Sequence, residues 1–222
     1  MKKMRRMLKS VLVIALCAAM AFAALPARTA LAASASISEV QYPVLQFYKY
    51  AKTFNVNKMR QYLYNKDVPE FMVSKQLKPV QNIIREENKK CFSFRIINTA
   101  IAKNNKSATM KVKVTYRSLY EAASDAGIAV LADIAFYALT HFEAPTNAQV
   151  AKYINDEMEK KVKKAPSQVV TRTVTVRVKK YGSTWKIVEA EDEMLEVCIC
   201  DIREGITDSV TGILNYVPFY RF

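Results

Sequence analysis

Glycine and histidine are scarce in this 222-residue chain, which has four glycines and one histidine. The glycines lie far apart, at positions Gly127, Gly182, Gly205 and Gly212. No glycine-rich loop that could cradle a phosphate is therefore present, and the GxSxG and HExxH motifs are missing too. A serine–histidine–acid arrangement would depend on His141 alone, so the sequence predicts no catalytic residues and no cofactor.

Cysteine is also rare, and the four cysteines do not describe a disulfide scaffold. Beyond the N-terminal segment, the chain keeps Cys91, Cys198 and Cys200, an odd number. One interpretation is a disulfide between Cys91 and either of the others. We favour a second interpretation, in which all three are buried thiols that act as small hydrophobes. The spacing of Cys198 and Cys200 is not CxxC, so we expect no metal site.

Acidic residues are outnumbered, with 20 Asp and Glu against 34 Lys and Arg, a formal charge of +14. The first 32 residues contain six of the basic residues and none of the acidic ones, so the remainder carries +8. This excess predicts a weak attraction to anionic surfaces, with a solvated surface that keeps the protein soluble as the simpler alternative. Because no nucleic-acid motif is present, we expect no nucleic-acid partner.

Residues 1–32 have the pattern of a secretory signal peptide. Five basic residues precede an apolar run from Val11 to Leu25, and Ala30 and Ala32 form the small-x-small site that predicts cleavage before Ala33. A retained membrane anchor is the first alternative, but the apolar run is shorter than the roughly 20 residues that span a bilayer. A lipoprotein with Cys17 as the lipidated residue is the second alternative, and the bulky Leu16 disfavours it. The predicted location is secreted or cell envelope, outside the cytoplasm.

Residues 33–222 are predicted to form a single α+β domain. Helices are expected from Pro43, where proline suits a first turn, over 57–64 and over 78–88. Alternating residues predict two antiparallel hairpins, one over 92–117 and one over 174–187. Two helices, over 120–142 and 147–164, are predicted between the hairpins. We expect the first not to span a membrane, because it is short and carries Asp133 near its centre.

The C-terminal part contains an acidic cluster and an aromatic tail. The cluster, at positions 189–196, is predicted to begin a helix over 191–204, with a strand as the alternative, and its spacing is not that of a calcium-binding loop. The helix would place Cys198 and Cys200 on different faces. The tail, Tyr216-Val217-Pro218-Phe219-Tyr220-Arg221-Phe222, either packs on its own domain or docks onto a partner, and we favour packing.

The order of elements resembles the NTF2-like, or cystatin-like, α+β class of small exported domains. The phrase from Phe47 to Met59 resembles the opening helix, loop and second helix of that class, and the hairpin that ends in Trp185-Lys186-Ile187 resembles its strands. The resemblance implies N-terminal helices packed on a curved antiparallel sheet of two hairpins, with a helical insertion between them. Isomerases of the class use a carboxylate in an apolar pocket, a role that would fall to Asp133 here. A solvent-facing stripe shared by Asp125 and Asp133 is the alternative that we favour.

Members of such a class include enzymes, binders and inert scaffolds, so the fold does not assign a function. The prediction is an exported non-catalytic domain that binds a ligand or a protein partner at the cell envelope. The alternative is a small hydrolase or isomerase that works in the concave face of the sheet. Candidate binding residues combine strand aromatics, the apolar-helix carboxylate and the tail: Tyr116, Asp133, Trp185, Tyr216, Phe219 and Tyr220.

Overall fold

The structure is a computed structural model that describes residues 36–188 and 192–216, with side chains up to Thr211. The described residues belong to one compact unit. The predicted signal peptide, its cleavage site and tail residues Phe219 and Tyr220 lie outside the described residues, and only the backbone of Tyr216 is described.

Three helices precede the sheet, and the first begins earlier than predicted. They are α1 (Ile37–Lys52), α2 (Val56–Arg60) and α3 (Lys78–Cys91), with a short 3-10 turn at Glu70–Met72 before α3. The prediction that α1 begins at Pro43 was wrong. Ser36 caps this helix by accepting a hydrogen bond from the Glu39 N–H at 3.3 Å, and Pro43 is buried inside the helix.

The second helix is shorter than the predicted 57–64, because the residues after it bond to the sheet instead. The Tyr64 N–H donates to the Ile187 carbonyl at 2.8 Å, and the Ile187 N–H donates to the Tyr62 carbonyl at 2.9 Å. These two bonds hold the segment after α2 against a strand edge.

Both hairpins are present, in an antiparallel sheet of order β1-β2-β3-β4. The strands are β1 (Ser93–Ile101), β2 (Ser107–Ser118), β3 (Gln168–Tyr181) and β4 (Thr184–Ile187). The central pair β2–β3 is in register from Ser107↔Lys179 to Ser118↔Gln168. Since β2 and β3 are neighbours in the sheet, the helical segment between them is an insertion between adjacent strands.

The insertion consists of α4 (Tyr120–His141) and α5 (Asn147–Lys164), within a residue of the prediction. Thr146 and Gln149 form a capping box at the start of α5. The α4 helix also packs closely on α7 (Ile202–Tyr216), because a β-carbon at Gly205 would lie 2.4 Å from the Tyr120 carbonyl oxygen. A β-carbon at Gly127 would likewise lie close to Ile206 and Ser209. Because later residues of α4 contact later residues of α7, the two helices run parallel.

The predicted continuous helix over 191–204 is interrupted. Helix α6 (Asp192–Glu196) ends in a turn, and α7 begins at Ile202. Cys200 and Asp201 both have positive φ, 60° and 61°, which no α-helix accommodates. Consequently Cys198 and Cys200 are both fully buried, and not on opposite faces, while Cys91 is half-buried. All three thiols are free.

The core fills the space between one face of the sheet and the N-terminal helices. On β2, Met110, Val112, Val114 and Tyr116 are buried, while the alternate side chains Thr109 and Lys111 are exposed. Buried Asn88 ties α3 to the rest by donating to the carbonyls of Ala51 and Cys198, at 3.1 and 2.8 Å. The inner face of the sheet is thus occupied by packed side chains.

Candidate functional site

An open groove lies between the N-terminal half of α1, the segment after α2 and the tip of the β3–β4 hairpin. Its volume is about 510 Å³. Its walls combine aromatic, proline and polar side chains: Ser38, Glu39, Tyr42, Pro43, Tyr62, Ser183, Thr184, Trp185 and Lys186. Concave sites with aromatic walls and few polar groups are typical of ligand-binding surfaces. We call this site the α1–β4 groove.

The main chain of Trp185 faces the open side of β4. In an antiparallel pair, opposed residues alternate between hydrogen-bonded and non-hydrogen-bonded pairs. Ile187 sends its N–H to Tyr62, away from its partner Val178 on β3, so that pair is not hydrogen-bonded. The pair Lys180↔Trp185 lies two residues earlier on β4 and is also not hydrogen-bonded. The Lys180 N–H accordingly points away from Trp185 and donates to the Lys106 carbonyl. The N–H and C=O of Trp185 therefore point outward, and neither has a partner among the described residues.

Tyrosine rings surround this open edge. The ring of Tyr42, which is 54% exposed, lies 6.2 Å from the ring of Tyr62 in an edge-to-face arrangement, and Tyr62 stacks on Tyr50 at 6.1 Å. Partial burial, followed by the neighbouring Tyr42 and Tyr50, raises the pKa of the Tyr62 hydroxyl, which therefore stays protonated as a hydrogen-bond donor. The side chain of Trp185 is 7% exposed, and its indole N–H has no hydrogen-bond partner among the described residues.

Lys186 closes one end of the groove by donating to the Gln61 carbonyl. Beyond it, the exposed ring of Tyr64 stacks on Tyr181 at 4.1 Å, outside the groove lining. The groove thus offers aromatic surface, one unpaired main-chain donor and one unpaired main-chain acceptor, with a carboxylate at Glu39 and an ammonium at Lys186. This is chemistry for binding. Nothing in this set of groups provides a nucleophile with an adjacent base.

A second cluster of chemically capable groups lies beneath the start of α7. Carboxylate oxygens of Glu196, Asp201 and Glu204 lie within 4.8 Å of one another. The carboxylate of Asp201 accepts hydrogen bonds from the hydroxyls of Tyr116, at 2.8 and 2.9 Å, and Ser118, at 2.7 Å.

Two arginines balance this carboxylate cluster. Arg172 lies 3.4 Å from Asp201 and 3.3 Å from Glu204, and Arg203 pairs with Glu196 and with Asp192. Burial raises the pKa of both Asp201 and Glu196, although hydrogen bonds and the arginines oppose that rise. Since the oxygens already have donors, this cluster joins β2 and β3 to α7 and does not form an open metal site.

The residues named from the sequence are dispersed. Tyr116 is fully buried, so the structure places it in the core and not on a binding surface. Asp133 is half-buried on α4, where it contributes, after Glu157, to raising the pKa of Lys160. His141 lies at the exposed end of α4, with its Nδ1 2.8 Å from Thr140 Oγ1 and 3.1 Å from the Tyr137 carbonyl oxygen. Of the described candidates, Trp185 alone lines the α1–β4 groove.

Sequence reasoning did not identify Tyr42, Tyr62 or Asp201. Tyr42 precedes Pro43 and therefore lay outside the helix predicted from Pro43, whereas the structure places it inside α1. Tyr62 lies within the helix predicted over 57–64, so the sequence carried no signal that it would lie beside a strand edge. Asp201 follows Cys200 in a turn that a helical pattern over 191–204 concealed.

Helix α4 is, among the described residues, the one helix long and apolar enough to cross a membrane by composition. Of its most apolar window, 28% is buried in the protein. Core helices of soluble proteins can pass the same test, so this is weak support for a span.

The comparisons with known proteins assign no family. No family model and no curated protein matches the chain. Among solved structures, a candidate lipoprotein of Bacillus subtilis (YcdA) matches at 19% sequence identity with a TM-score of 0.34. The match covers 72% of this chain but 45% of that protein, so the chain spans less than half of its length. A similarity at this level does not assign a fold or a function.

Proposed function

We propose that this protein is an extracytoplasmic binding domain that holds an extended peptide segment of a partner protein in the α1–β4 groove. The observation that carries the proposal is the outward-facing N–H and C=O of Trp185, a residue that lines the groove together with Tyr42 and Tyr62. An added strand pairs with such an edge through its own main chain, while pockets on either side take its alternating side chains. Tyrosine and tryptophan are enriched in surfaces of this kind.

The extracytoplasmic location rests on the sequence of residues 1–32, with its basic start, apolar run and Ala30-Leu31-Ala32 site. The NTF2-like arrangement belongs to the same proposal and is supported by N-terminal helices that cover one face of an antiparallel sheet. Protein recovered from outside the cytoplasm should begin near Ala33, as measured by mass spectrometry. An intact N-terminus at Met1 in the membrane fraction would contradict export with cleavage.

Binding is favoured over catalysis in the sheet because the inner face of the sheet is packed. Met110, Val112, Val114, Tyr116 and Val176 are each at most 1% exposed, which leaves no room among them for a substrate. The hydrolase or isomerase alternative would need a polar pocket on that face, with Asp133 inside it. Asp133 lies on α4 instead, in the helical insertion.

The test is a selection of peptides from a random display library on residues 33–222. We expect an enriched peptide to lose at least about tenfold in affinity when Tyr42→Ala or Tyr62→Ala is introduced, the loss typical of a central aromatic contact. Tyr64→Ala is the matched control, because Tyr64 is similarly exposed, at 55%, but does not line the groove. Its affinity should stay within about twofold of the wild type.

Three outcomes would overturn the proposal. The first is that no peptide is enriched, and the second is equal loss of affinity in all three variants. The third is that residues 26–35 of this chain, supplied as a synthetic peptide, occupy the groove and displace every selected sequence. In that case the groove would serve the chain's own leader and not a partner.

A further inference from the structure

The four strands of the sheet contain basic residues and no acidic ones. Aspartate and glutamate are missing from β1, β2, β3 and β4, whereas nine positions are lysine or arginine. These are Arg95, Lys111, Lys113, Arg117, Arg172, Arg177, Lys179, Lys180 and Lys186. The 20 acidic residues of the chain all lie outside the strands, so the positive excess is concentrated in the sheet.

Most of these cations project from the outer face, opposite the core. Side chains alternate between faces along a strand, and the register places outward positions of neighbouring strands beside one another. Three of the nine are not part of this set. Arg117 lies 3.0 Å from Glu87, and Arg172 pairs with Asp201 and Glu204. Lys180 is the cross-strand partner of the buried Trp185, on the opposite face. We call the outward, exposed or half-exposed set the basic face: Arg95, Lys111, Lys113, Arg177, Lys179 and Lys186.

The basic face contains like charges in direct opposition. Arg95 is the cross-strand partner of Lys113, and Lys179 is the cross-strand partner of Lys186. Directly opposed like charges destabilise a sheet. Arg95, Lys111, Lys113 and Lys179 form no ion pair with any described carboxylate, so nothing described offsets this repulsion.

Several lysines on α5, unlike those of the basic face, form ion pairs with carboxylates of the same helix. Lys152 pairs with Asp156 at 3.0 Å, and Lys163 pairs with Glu159 at 2.7 Å. Lys160 lies 2.6 Å from Glu157 in the same way. These three lysines are therefore neutralised within the helix, while Arg95, Lys111, Lys113 and Lys179 on the sheet have no described carboxylate partner and can meet an external anion.

We propose that the basic face binds the surface of a bilayer rich in anionic phospholipid. The cations occupy all four strands, and neighbouring strands lie about 4.8 Å apart, so the charge is spread in two dimensions. A planar array of headgroups matches such a distribution, whereas a linear polyanion would match a single row. Each lysine or arginine near an anionic surface contributes about 1 kcal/mol, and the attraction falls off within a Debye length. Lys186 belongs to both the basic face and the α1–β4 groove, but the proposal rests on Arg95, Lys111, Lys113 and Lys179 and does not depend on the groove.

The experiment is co-sedimentation of residues 33–222 with phosphatidylglycerol-containing vesicles and with pure phosphatidylcholine vesicles. The test variant combines Arg95→Gln, Lys111→Gln and Lys113→Gln. The matched control combines Lys152→Gln, Lys160→Gln and Lys163→Gln, which removes the same net charge from α5. Since about 1 kcal/mol corresponds to roughly fivefold, we expect a roughly hundredfold loss of affinity in the test variant. The control should stay within about threefold of the wild type.

Two further readouts protect the result from misfolding and from nonspecific charge effects. Without vesicles, the test variant should melt at or above the wild-type temperature, because the Arg95–Lys113 repulsion is gone. Wild-type binding should weaken as salt rises from about 0.05 M to about 0.5 M.

Equal loss in the two triple variants would overturn the proposal, because net charge alone would then explain binding. Failure to bind phosphatidylglycerol vesicles at low salt would also overturn it. A third contrary result is tight binding of a soluble phosphodiester polymer, sensitive to the test variant, with no binding to vesicles. That result would assign the basic face to a linear polyanion.

Discussion

The Ile187 N–H donates to the Tyr62 carbonyl at 2.9 Å, and this bond closes the outer edge of β4 two residues beyond Trp185. The segment after α2 thereby completes the edge at Ile187 and leaves it open at Trp185. An exposed strand edge is a template for pairing with another chain, and natural proteins normally cover or shorten it. Here the opening is the N–H and C=O of one residue, and Tyr42 and Tyr62 line the same groove. Such an opening suits a short peptide and limits uncontrolled pairing.

Alanine at Gly205 should destabilise the protein more than alanine at Gly127. A β-carbon at Gly205 would lie 2.4 Å from the main-chain oxygen of Tyr120, which cannot move without shifting α4. At Gly127 the nearest atom, 2.3 Å away, is the hydroxyl oxygen of Ser209, a side-chain end that can rotate. Thermal unfolding should give a loss of about 2 kcal/mol or more for Gly205→Ala and a smaller loss for Gly127→Ala. The reverse order would show that α4 and α7 do not touch at Gly205.

Two fully buried tyrosines should respond oppositely to the loss of their hydroxyls. The Tyr48 hydroxyl has no hydrogen-bond partner among the described residues, while that of Tyr116 donates to Asp201 at 2.8 Å. Tyr48→Phe should therefore leave the free energy of unfolding unchanged or raise it, by up to about 1 kcal/mol. Tyr116→Phe should lower it by about 1–3 kcal/mol, because a buried carboxylate loses a donor. Chemical denaturation measures both, and equal losses would contradict the assigned bonding.

The Asp201 carboxyl should make stability depend on pH. Burial raises its pKa in the folded protein above the unfolded value, so the folded state binds the proton more tightly. The stabilisation that protonated Asp201 contributes to the folded protein is then fully present below about pH 4 and is lost as pH rises through the raised pKa. The Asp201→Asn variant would not titrate at this position, and its new amide side chain tolerates the positive φ found there. In that variant, the fall of the unfolding free energy above about pH 4 should be shallower than in the wild type.

Glu196 serves as the internal reference for that measurement. Its pKa is also raised by burial, so it makes the unfolding free energy depend on pH in the same direction. The Asp201→Asn variant keeps this dependence. Identical pH profiles for wild type and variant would mean that the Asp201 pKa is not raised.

Deleting residues 216–222 should lower the melting temperature. Helix α7 runs parallel to α4, and at the end of α4 the apolar residues Phe136 and Leu139 and the following Phe142 are exposed, at 69%, 75% and 93%. If the tail packs on its own domain, as we expect from the sequence, it buries one or two rings, and that burial is worth a few kcal/mol. We expect a fall of roughly 5 °C by calorimetry. Unchanged melting would favour a tail that docks onto a partner.

How far the sequence predicted the fold depends on the range of the interactions. The hairpins followed from alternation between Met110 and Tyr116 and between Val174 and Val178, a local signal that the register confirms. The α4 and α5 boundaries followed from equally local patterns, an apolar run for α4 and an amphipathic run for α5. The break at Cys200 did not, because Asp201 there bonds to Tyr116 and Ser118 of β2, more than 80 positions away in the sequence.

The candidate site was predicted less well, for the same physical reason. Trp185 was named as an aromatic residue of a predicted strand. Its open main chain depends on which side of β4 the segment after α2 occupies, and that is a tertiary arrangement. Tyr42 and Tyr62 are 20 positions apart and meet only after the segment following α2 has packed against α1, so neither periodicity nor spacing identifies them as a pair.

The most direct measurement of the groove proposal is amide hydrogen exchange at Trp185, with Ile187 as reference, in residues 33–222 with and without a selected peptide. We expect the Trp185 amide to exchange rapidly in the free protein and the Ile187 amide to be protected by its bond to Tyr62. Peptide binding should slow exchange at Trp185 by at least about tenfold and leave Ile187 unchanged. A Trp185 amide already protected in the free protein, or one that the peptide does not protect, would contradict the account.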